Sequence, residues 1–417
     1  MDTESTTLKK EFDTEDGSVI THTRKIRLLI ITKDESVLDR SSGFFKRIID
    51  GRGYFFETHV VLLIVRKVPT EQSTIRLTEN VWVYMTNSRS WWRLIYDGYT
   101  LAQHQMNFIN GFRADCIVAE DPFESALVGW LLKRYASRPL QIHLSEGFYD
   151  TAYVRSFSHA FLYSWMIRFL IPRANSIRAR SATVLTQVKE MYPACADVAE
   201  MLPVYYDLKA WSSFIPTVDF RAEYPQFNFI ILHITAMRNI SHTTEVIQGV
   251  APVLRQYPKV GLLIVGDGPL RAHYEKEVLI QKIQKQVEFI PRPKEYITLM
   301  KASHILIHLS DDSSENEVLY EAGITRLPII CARSGIGNTL FKDDVSALVV
   351  SAIDVPQITK KVQQYIASNR DRTQFALEAH GIITGEVAQD YTQYLEAYAL
   401  SVTKNIQPPL IYSHSSV

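Results

Sequence analysis

Residues 304–331 read HILIHLSDDSSENEVLYEAGITRLPIIC. An apolar run, Ile305 to Leu309, ends in a polar loop at 310–316. The spacing beyond it predicts a short helix from Glu317 to about Ile324. Arg326-Leu327-Pro328 and a second apolar run at 329–331 follow. Strand, loop, helix, strand is the unit of a parallel α/β sheet. Ligands of such sheets bind outside the carboxyl ends of the strands, which is where loop 310–316 falls. Asn316 is placed to cap the helix, so the N–H groups of the Glu317-Val318-Leu319 turn face the crevice. A helix terminus of this kind takes a phosphate. Glu321, one turn in, can accept hydrogen bonds from a pair of sugar hydroxyls. Phosphate beside ribose points to a nucleotide; an ordinary βαβ unit with a solvated acidic loop is the other reading.

Composition is globular, with 46% hydrophobic and 22% charged residues, and 417 residues favour two domains over one. Lys plus Arg and Asp plus Glu both number 45, so no net charge argues for nucleic acid. Three distant cysteines, Cys116, Cys195 and Cys331, have no metal-ligand spacing and form no disulfide framework. A reducing, cytoplasmic setting is expected. The first residues are acidic and polar rather than a secretory leader, and no apolar run has the length of a membrane span.

The chain alternates strand and helix. Residues 1–24 read as a mobile tail. A buried strand at 26–31 leads to Ser42-Gly43 and a helix at 46–50. Strands follow at 58–66 and 81–84, then an aromatic amphipathic stretch at 90–110. A strand at 113–119 runs into Glu120-Asp121-Pro122-Phe123, a helix at 124–135, and a strand at 139–144 that carries His143 near its carboxyl end. Residues 156–170 are apolar and aromatic, with Arg168, Arg173, Arg178 and Arg180 along and after them. Such a stretch can lie on a membrane surface or pack on its own domain. Residues 209–226 are polar and read as a linker.

Beyond it, a strand at 227–234 precedes Met237-Arg238 and His242, with a helix from Thr244 to about Gln256. The strand at 260–265 ends in Gly266-Asp267-Gly268-Pro269, where glycines allow a tight turn and close backbone approach. A strand at 287–290 meets Pro291, and a helix at 295–301 precedes the opening stretch. A glycine-rich loop at 334–338, a strand at 347–350 and helices at 354–366 and 391–402 follow, and the tail from 404 on is expected to be mobile.

The order Gly-Asp-Gly-Pro, strand, Glu321-Ala322 with Leu327-Pro328, then Ser-Gly-x-Gly resembles the group 1 glycosyltransferases, retaining nucleotide-sugar enzymes of the GT-B fold. The resemblance covers about 227–400 well and 25–208 more loosely. It implies an α/β architecture of two Rossmann-like doubly wound domains facing each other across a cleft. An acceptor domain at 25–208 would be joined by the last helix, at about 391–403, crossing back to it, and a donor domain would span 227–390. It also implies site residues. Glu321 would hold the ribose. Arg238 and the 317–319 N–H groups would hold the diphosphate. Ser313 and Glu315 would face the sugar, and His143 would lie over it. Gly43, Gly266, Asp267, Gly268 and Pro291 would line the donor pocket. The pattern departs from the family at Met237 and His242, where it has Arg and Lys, and at Ser313, where it has Glu.

The expected activity is transfer of a sugar from a nucleotide-sugar, UDP- or GDP-linked, to a glycan, glycolipid or lipid-linked hydroxyl, with retention. No metal and no cofactor are expected, and peripheral membrane contact through 156–180 is open. Two alternatives stay: a catalytically silent protein that binds a sugar nucleotide or a partner, and an epimerase or phosphorylase on the same fold.

Overall fold

The computed structural model describes residues 26–40, 42–65, 73–108, 112–145, 148, 160–208, 211, 214, 220–237, 241–291, 297–310, 317–333, 335–388, 390–404 and 406. Arg238, Ser313, Glu315 and Asn316 lie outside them, as do both expected tails except Lys404 and Ile406. The chain divides into two compact units. One holds Met1–Leu144, Leu162–Leu202 and Asp390–Val417; the other holds Ser145–Phe161 and Pro203–Gln389. The main segment of the second unit therefore starts at Pro203, ahead of the expected linker at 209–226.

The first unit contains β1 (Arg27–Thr32), β2 (Glu57–Leu62), β3 (Thr74–Thr78), β4 (Val81–Met85), β5 (Cys116–Ala119), β6 (Leu140–Leu144), β7 (Ser176–Ala179) and β8 (Ala199–Met201). Its helices are α1 (Gly43–Asp50), α2 (Leu94–Phe108), α3 (Glu124–Ala136), α4 (Ala160–Leu170), whose first two residues cluster with the other unit, and α5 (Ala182–Met191). The sheet runs β3-β4-β2-β1-β5-β6-β7-β8. All pairings are parallel except β3 with β4. That antiparallel edge was not expected. The strand Thr-Ile-Arg-Leu-Thr is part-exposed throughout, so it lacks the apolar run that marks the others. Parallel strands covered on both faces read as continuous apolar runs, and β1, Arg-Leu-Leu-Ile-Ile-Thr, is buried from its second residue on. Ser42 begins α1 by accepting a hydrogen bond from the Phe45 amide at 2.9 Å, a cap worth about 1 kcal/mol.

The second unit contains α6 (Phe220–Glu223), β9 (Phe229–Ile234), α7 (Thr243–Gln256), β10 (Val260–Val265), α8 (Arg271–Ile280), β11 (Val287–Ile290), α9 (Ile297–Ala302) and β12 (Ile305–His308). It continues with α10 (Glu317–Ile324), β13 (Ile329–Ala332), α11 (Gly335–Leu340), β14 (Leu348–Val350), α12 (Val355–Ala367) and α13 (Asn369–Glu386). Its sheet is parallel in the order β11-β10-β9-β12-β13-β14. Strand β9 shows why a wholly apolar strand fits here. Phe229 and Ile231 pack with α7, α8 and α12, while Ile230, Leu232 and Ile234 pack with α9, α10 and α13. Alternate residues thus feed two cores, one on each face. Helix α13 was not expected. Its buried residues are Phe375, Ala376, Ala379 and Ile383, a thin stripe in a polar sequence.

Helix α14 (Tyr391–Thr403) belongs with the first unit. Its dock is polar. Gln141 Nε2 donates to the Ser401 carbonyl at 3.0 Å, and Arg178 Nη2 donates to the Tyr394 hydroxyl at 3.3 Å. The Arg47 guanidinium lies 5.0 Å from the Tyr398 ring centre.

Candidate functional site

The order of the second sheet reverses between β9 and β12, which both leave from the same edge. In doubly wound sheets the crevice outside the carboxyl ends at such a switch point is the ligand site. The loops that leave β9 and β12 there run into α7 and α10. Glu317 opens α10 and is exposed, Val318 and Leu319 are buried, and Glu321 is 5% exposed on the same helix. Pro291, exposed, follows β11.

The β9 loop is built tightly. His233 ends in two hydrogen bonds: Nδ1 donates to the Ile307 carbonyl at 2.8 Å, so Nε2 accepts from the Thr243 hydroxyl at 3.0 Å. One buried side chain thus ties β9 to β12 and to the start of α7. Sequence reasoning passed over His233; a histidine inside an otherwise apolar strand was the available signal. The Met237 amide donates to Thr235 Oγ1 at 3.0 Å, and the Met237 carbonyl accepts from the Leu270 amide at 3.2 Å. Met237 has φ 48° and no exposure. The position that the family pattern gives to an arginine is therefore a core position. His242 also has φ 48° and directs Nδ1 to Glu245 at 3.8 Å. That contact is the first cause holding the Glu245 carboxyl below its usual range.

Gly266 and Gly268 serve this same loop. Gly266 has φ +136°, and a Cβ there would stand 1.9 Å from the Thr235 carbonyl oxygen; at Gly268 it would stand 2.2 Å from that of Ala236. The close backbone approach expected of the motif is made to the neighbouring β9 loop. Asp267 is exposed and accepts from the Gly268 amide at 2.8 Å. Asp343 and Asp344 both pair with Lys361, at 2.9 and 3.0 Å. Among the described residues no cluster of His, Cys, Asp and Glu could hold a metal ion.

The first sheet switches between β1 and β5. Lys33 follows β1, and Asp121 and Glu124 follow β5. Lys33 Nζ lies 2.6 Å from Glu124 Oε2, and the Tyr163 hydroxyl from α4 donates to Glu124 Oε1 at 2.5 Å. Asp121 accepts from the Ser125 hydroxyl and from the Phe123 amide at 2.8 Å. Burial works against the Lys33 charge, yet Asp121 and Glu124 overcome it and hold the ammonium above its usual range. Burial, with Glu124 close by, raises Asp121. At Gly43, a Cβ would meet nothing within 4 Å, so packing does not require glycine there. A hollow of about 570 Å³ lined by Asn87, Arg89, Arg93, Asp97 and Thr100 lies beside β4, separated from the switch point by β2.

His143, expected to lie over the sugar from its place near the end of β6, is held by partners within the first unit. It is 6% exposed. Nδ1 lies 3.0 Å from Glu120 Oε2 and Nε2 lies 3.0 Å from Gln141 Oε1. Burial, aided by Arg178 and Arg47, opposes the charge that Glu120 favours and holds the imidazole at about 4. Burial would raise the Glu120 carboxyl, but Arg47, 2.5 Å away, with His143 and Arg178, holds it well below the usual carboxylate range. This charge chain underlies the α14 dock. Within the first unit, these contacts fix the His143 ring.

Residues 219–380 match the family model described as glycosyl transferases group 1. No curated protein sequence matches the chain. Among solved structures, HepE from Anabaena in complex with UDP and glucose is similar at 17% identity and TM-score 0.67, covering 91% of this chain and 99% of that one. Sucrose-phosphate synthase from Thermosynechococcus elongatus is similar at 13% identity and TM-score 0.70, covering 90% and 97%. WaaG, a glycosyltransferase involved in lipopolysaccharide biosynthesis, is similar at 15% identity and TM-score 0.65, covering 91% and 100%. The likeness at these identities is one of fold, and the chain has the GT-B fold.

Proposed function

We propose, from the premise that residues 219–380 belong to the group 1 glycosyltransferases, that the protein moves a sugar from a nucleotide-sugar to an acceptor hydroxyl with retention of configuration. The observation that supports this reading is the switch point between β9 and β12 with Glu321 on the helix beside it. In the proposed arrangement, Glu321 accepts hydrogen bonds from the ribose. The N–H groups of Glu317, Val318 and Leu319, with Arg238, hold the diphosphate, whose charge grows in the transition state. Ser313 and Glu315 face the sugar. The donor is a UDP-sugar, as in the HepE complexes with UDP and UDP-glucose, and the acceptor is a glycan, glycolipid or lipid-linked hydroxyl. Backbone dipoles and cations neutralise the diphosphate in place of a metal.

Met237, buried where the family pattern has an arginine, favours a second reading: a silent protein that binds a sugar nucleotide without transfer. A thermal-shift screen against UDP-, GDP-, ADP- and dTDP-sugars, with and without Mg²⁺, tests the binding part, since a ligand of the native state raises the melting temperature. A rise with a UDP-sugar, independent of Mg²⁺ and lost in Glu321→Ala, is expected. No rise with any donor sinks both readings. A rise without release of UDP in the presence of acceptors selects the silent one.

A further inference from the structure

The hollow beside β4 is polar: of the described residues that line it, only Met85 and Leu101 are apolar, and none is aromatic. One wall is the segment that follows β4, and another is the face of α2 with the turn before it, where Arg93, Asp97 and Thr100 recur at helical spacing. The first wall is fixed to the chain of β2. The Thr86 amide donates to the Leu62 carbonyl at 3.0 Å, and the Ser88 amide donates to the Ile64 carbonyl at 2.9 Å. Thr86 Oγ1 accepts from the Ile64 amide and donates to the Ile64 carbonyl, both at 3.0 Å. Between them Asn87 holds φ 46°, a left-handed backbone that asparagine takes more readily than most residues. Backbone of this kind gathers at ligand sites.

The sheet sets where the hollow lies. Met85 is in register with Leu62, and Leu62 with Thr32. Lys33, the next residue, follows β1 at the switch point with β5. At about 4.8 Å per strand, the hollow lies about 10 Å along the same carboxyl edge. Its charge is unevenly matched. Arg93 Nη2 lies 3.5 Å from Asp97 Oδ1, with both side chains part-exposed. Arg89 is exposed and has no ion-pair partner among the described residues. Asp97 thus offsets one of two guanidinium groups. Thr100 Oγ1 donates to the Tyr96 and Asp97 carbonyls at 3.0 and 3.1 Å, so it meets a ligand as an acceptor.

A nucleobase would find no ring to stack on in this hollow. An apolar ligand would find two apolar side chains. Inorganic phosphate would leave most of the 570 Å³ unfilled. A guanidinium takes phosphate or carboxylate through two parallel hydrogen bonds, and amide and hydroxyl groups take sugar hydroxyls. We propose that the hollow binds an anionic sugar, one bearing phosphate or carboxylate, and that this sugar belongs to the acceptor. The acceptor role rests on the sugar-transfer reading; the binding does not.

Isothermal titration of the full chain with glucose-6-phosphate, glucuronate, glucose and inorganic phosphate tests the site. At least one charged sugar is expected to bind about tenfold or more tighter than glucose, with the gap narrowing at high salt. The tighter of the two names the anion. Arg89→Gln with Arg93→Gln should weaken that sugar by about tenfold or more without lowering the melting temperature, since neither side chain is buried. Arg89→Gln alone gives a second reading should the pair fold poorly, and should cost about threefold. Absent binding, equal affinity for glucose and both charged sugars, or affinities unchanged in the variants overturns the proposal. So does inorganic phosphate binding as tightly as glucose-6-phosphate, which leaves a site for a bare anion. The acceptor role has its own readout. With the UDP-sugar that raises the melting temperature, UDP release should rise severalfold with the charged sugar that binds, and fall back in the arginine variants. Binding without that rise removes the acceptor role. A donor-induced shift absent from the parent chain sinks the transferase reading, while the titration still decides the site.

Discussion

Lys33 and Glu124 meet at 2.6 Å across the point where the order of the first sheet reverses, one following β1 and the other opening α3. Each is held in its charged form by the other: the ammonium is shifted up, and the carboxyl is shifted down although burial would raise it. With Tyr163 they tie β1, α3 and α4 into one polar joint.

Removing the cation should therefore be costly. Lys33→Met leaves Glu124 and Asp121 without it, and unpaired buried charge costs about 3–5 kcal/mol. Lys33 keeps part of its surface in water, so about 2–3 kcal/mol is expected. Glu124→Gln, which keeps a polar partner for both neighbours, should cost about 1–2 kcal/mol. Urea unfolding of the two variants measures this. Equal stability of Lys33→Met and the parent chain would remove the joint as a stabilising element.

Two glycine substitutions should behave in opposite ways. Gly266→Ala drives a Cβ to 1.9 Å from the Thr235 carbonyl at a backbone angle of φ +136°, and about 3 kcal/mol or more of stability should be lost. Gly43→Ala has open space and a helical backbone, so stability should hold or rise by about 0.5–1 kcal/mol. If Gly43 lines the donor pocket, as the family resemblance implies, the same alanine weakens the nucleotide-sugar thermal shift. A full shift in Gly43→Ala withdraws that assignment.

Acid should loosen the first unit through His59. Its imidazole is 2% exposed, stacks on Phe112 at 3.7 Å, and has Nδ1 3.0 Å from the Tyr84 hydroxyl. Burial pushes it down to about 4, against about 6.5 in the unfolded chain. Between these values the unfolded chain binds the extra proton, so stability falls as pH drops from about 6.5 to about 4, by about 2–3 kcal/mol. His59→Gln should flatten that part of the slope. Urea midpoints at neutral pH and near the lower value, compared between parent and variant, decide it; identical slopes would clear His59 of the role.

The apolar runs made the succession of strands along both units readable, because a parallel strand buried on two faces has no polar side to confuse the signal. Strand β3 escaped because an exposed edge strand need not be apolar, and α13 because four buried residues carry it. The strand, helix and strand at 304–331 were legible and stand as β12, α10 and β13. The roles of single residues were less so. Gly266 and Gly268 were read correctly as needing close approach, but the partner is the Thr235–Ala236 backbone, which only the sheet order brings near. His143 was read from its place at a strand end. Its partners come from β5, from its own strand through Gln141, and indirectly from α14, and no local pattern reports such a chain.

The α14 dock also sets a schedule. Gln141 waits for Ser401, 260 positions later, and Arg178 for Tyr394, 216 positions later. At about 5–20 residues per second of synthesis, Ser401 emerges roughly 10–50 s after Gln141. Throughout that interval the Arg47–Glu120–His143 charges stand under an uncovered sheet edge while the second unit is made. The half of the molecule that starts first on the ribosome is thus the half that finishes last.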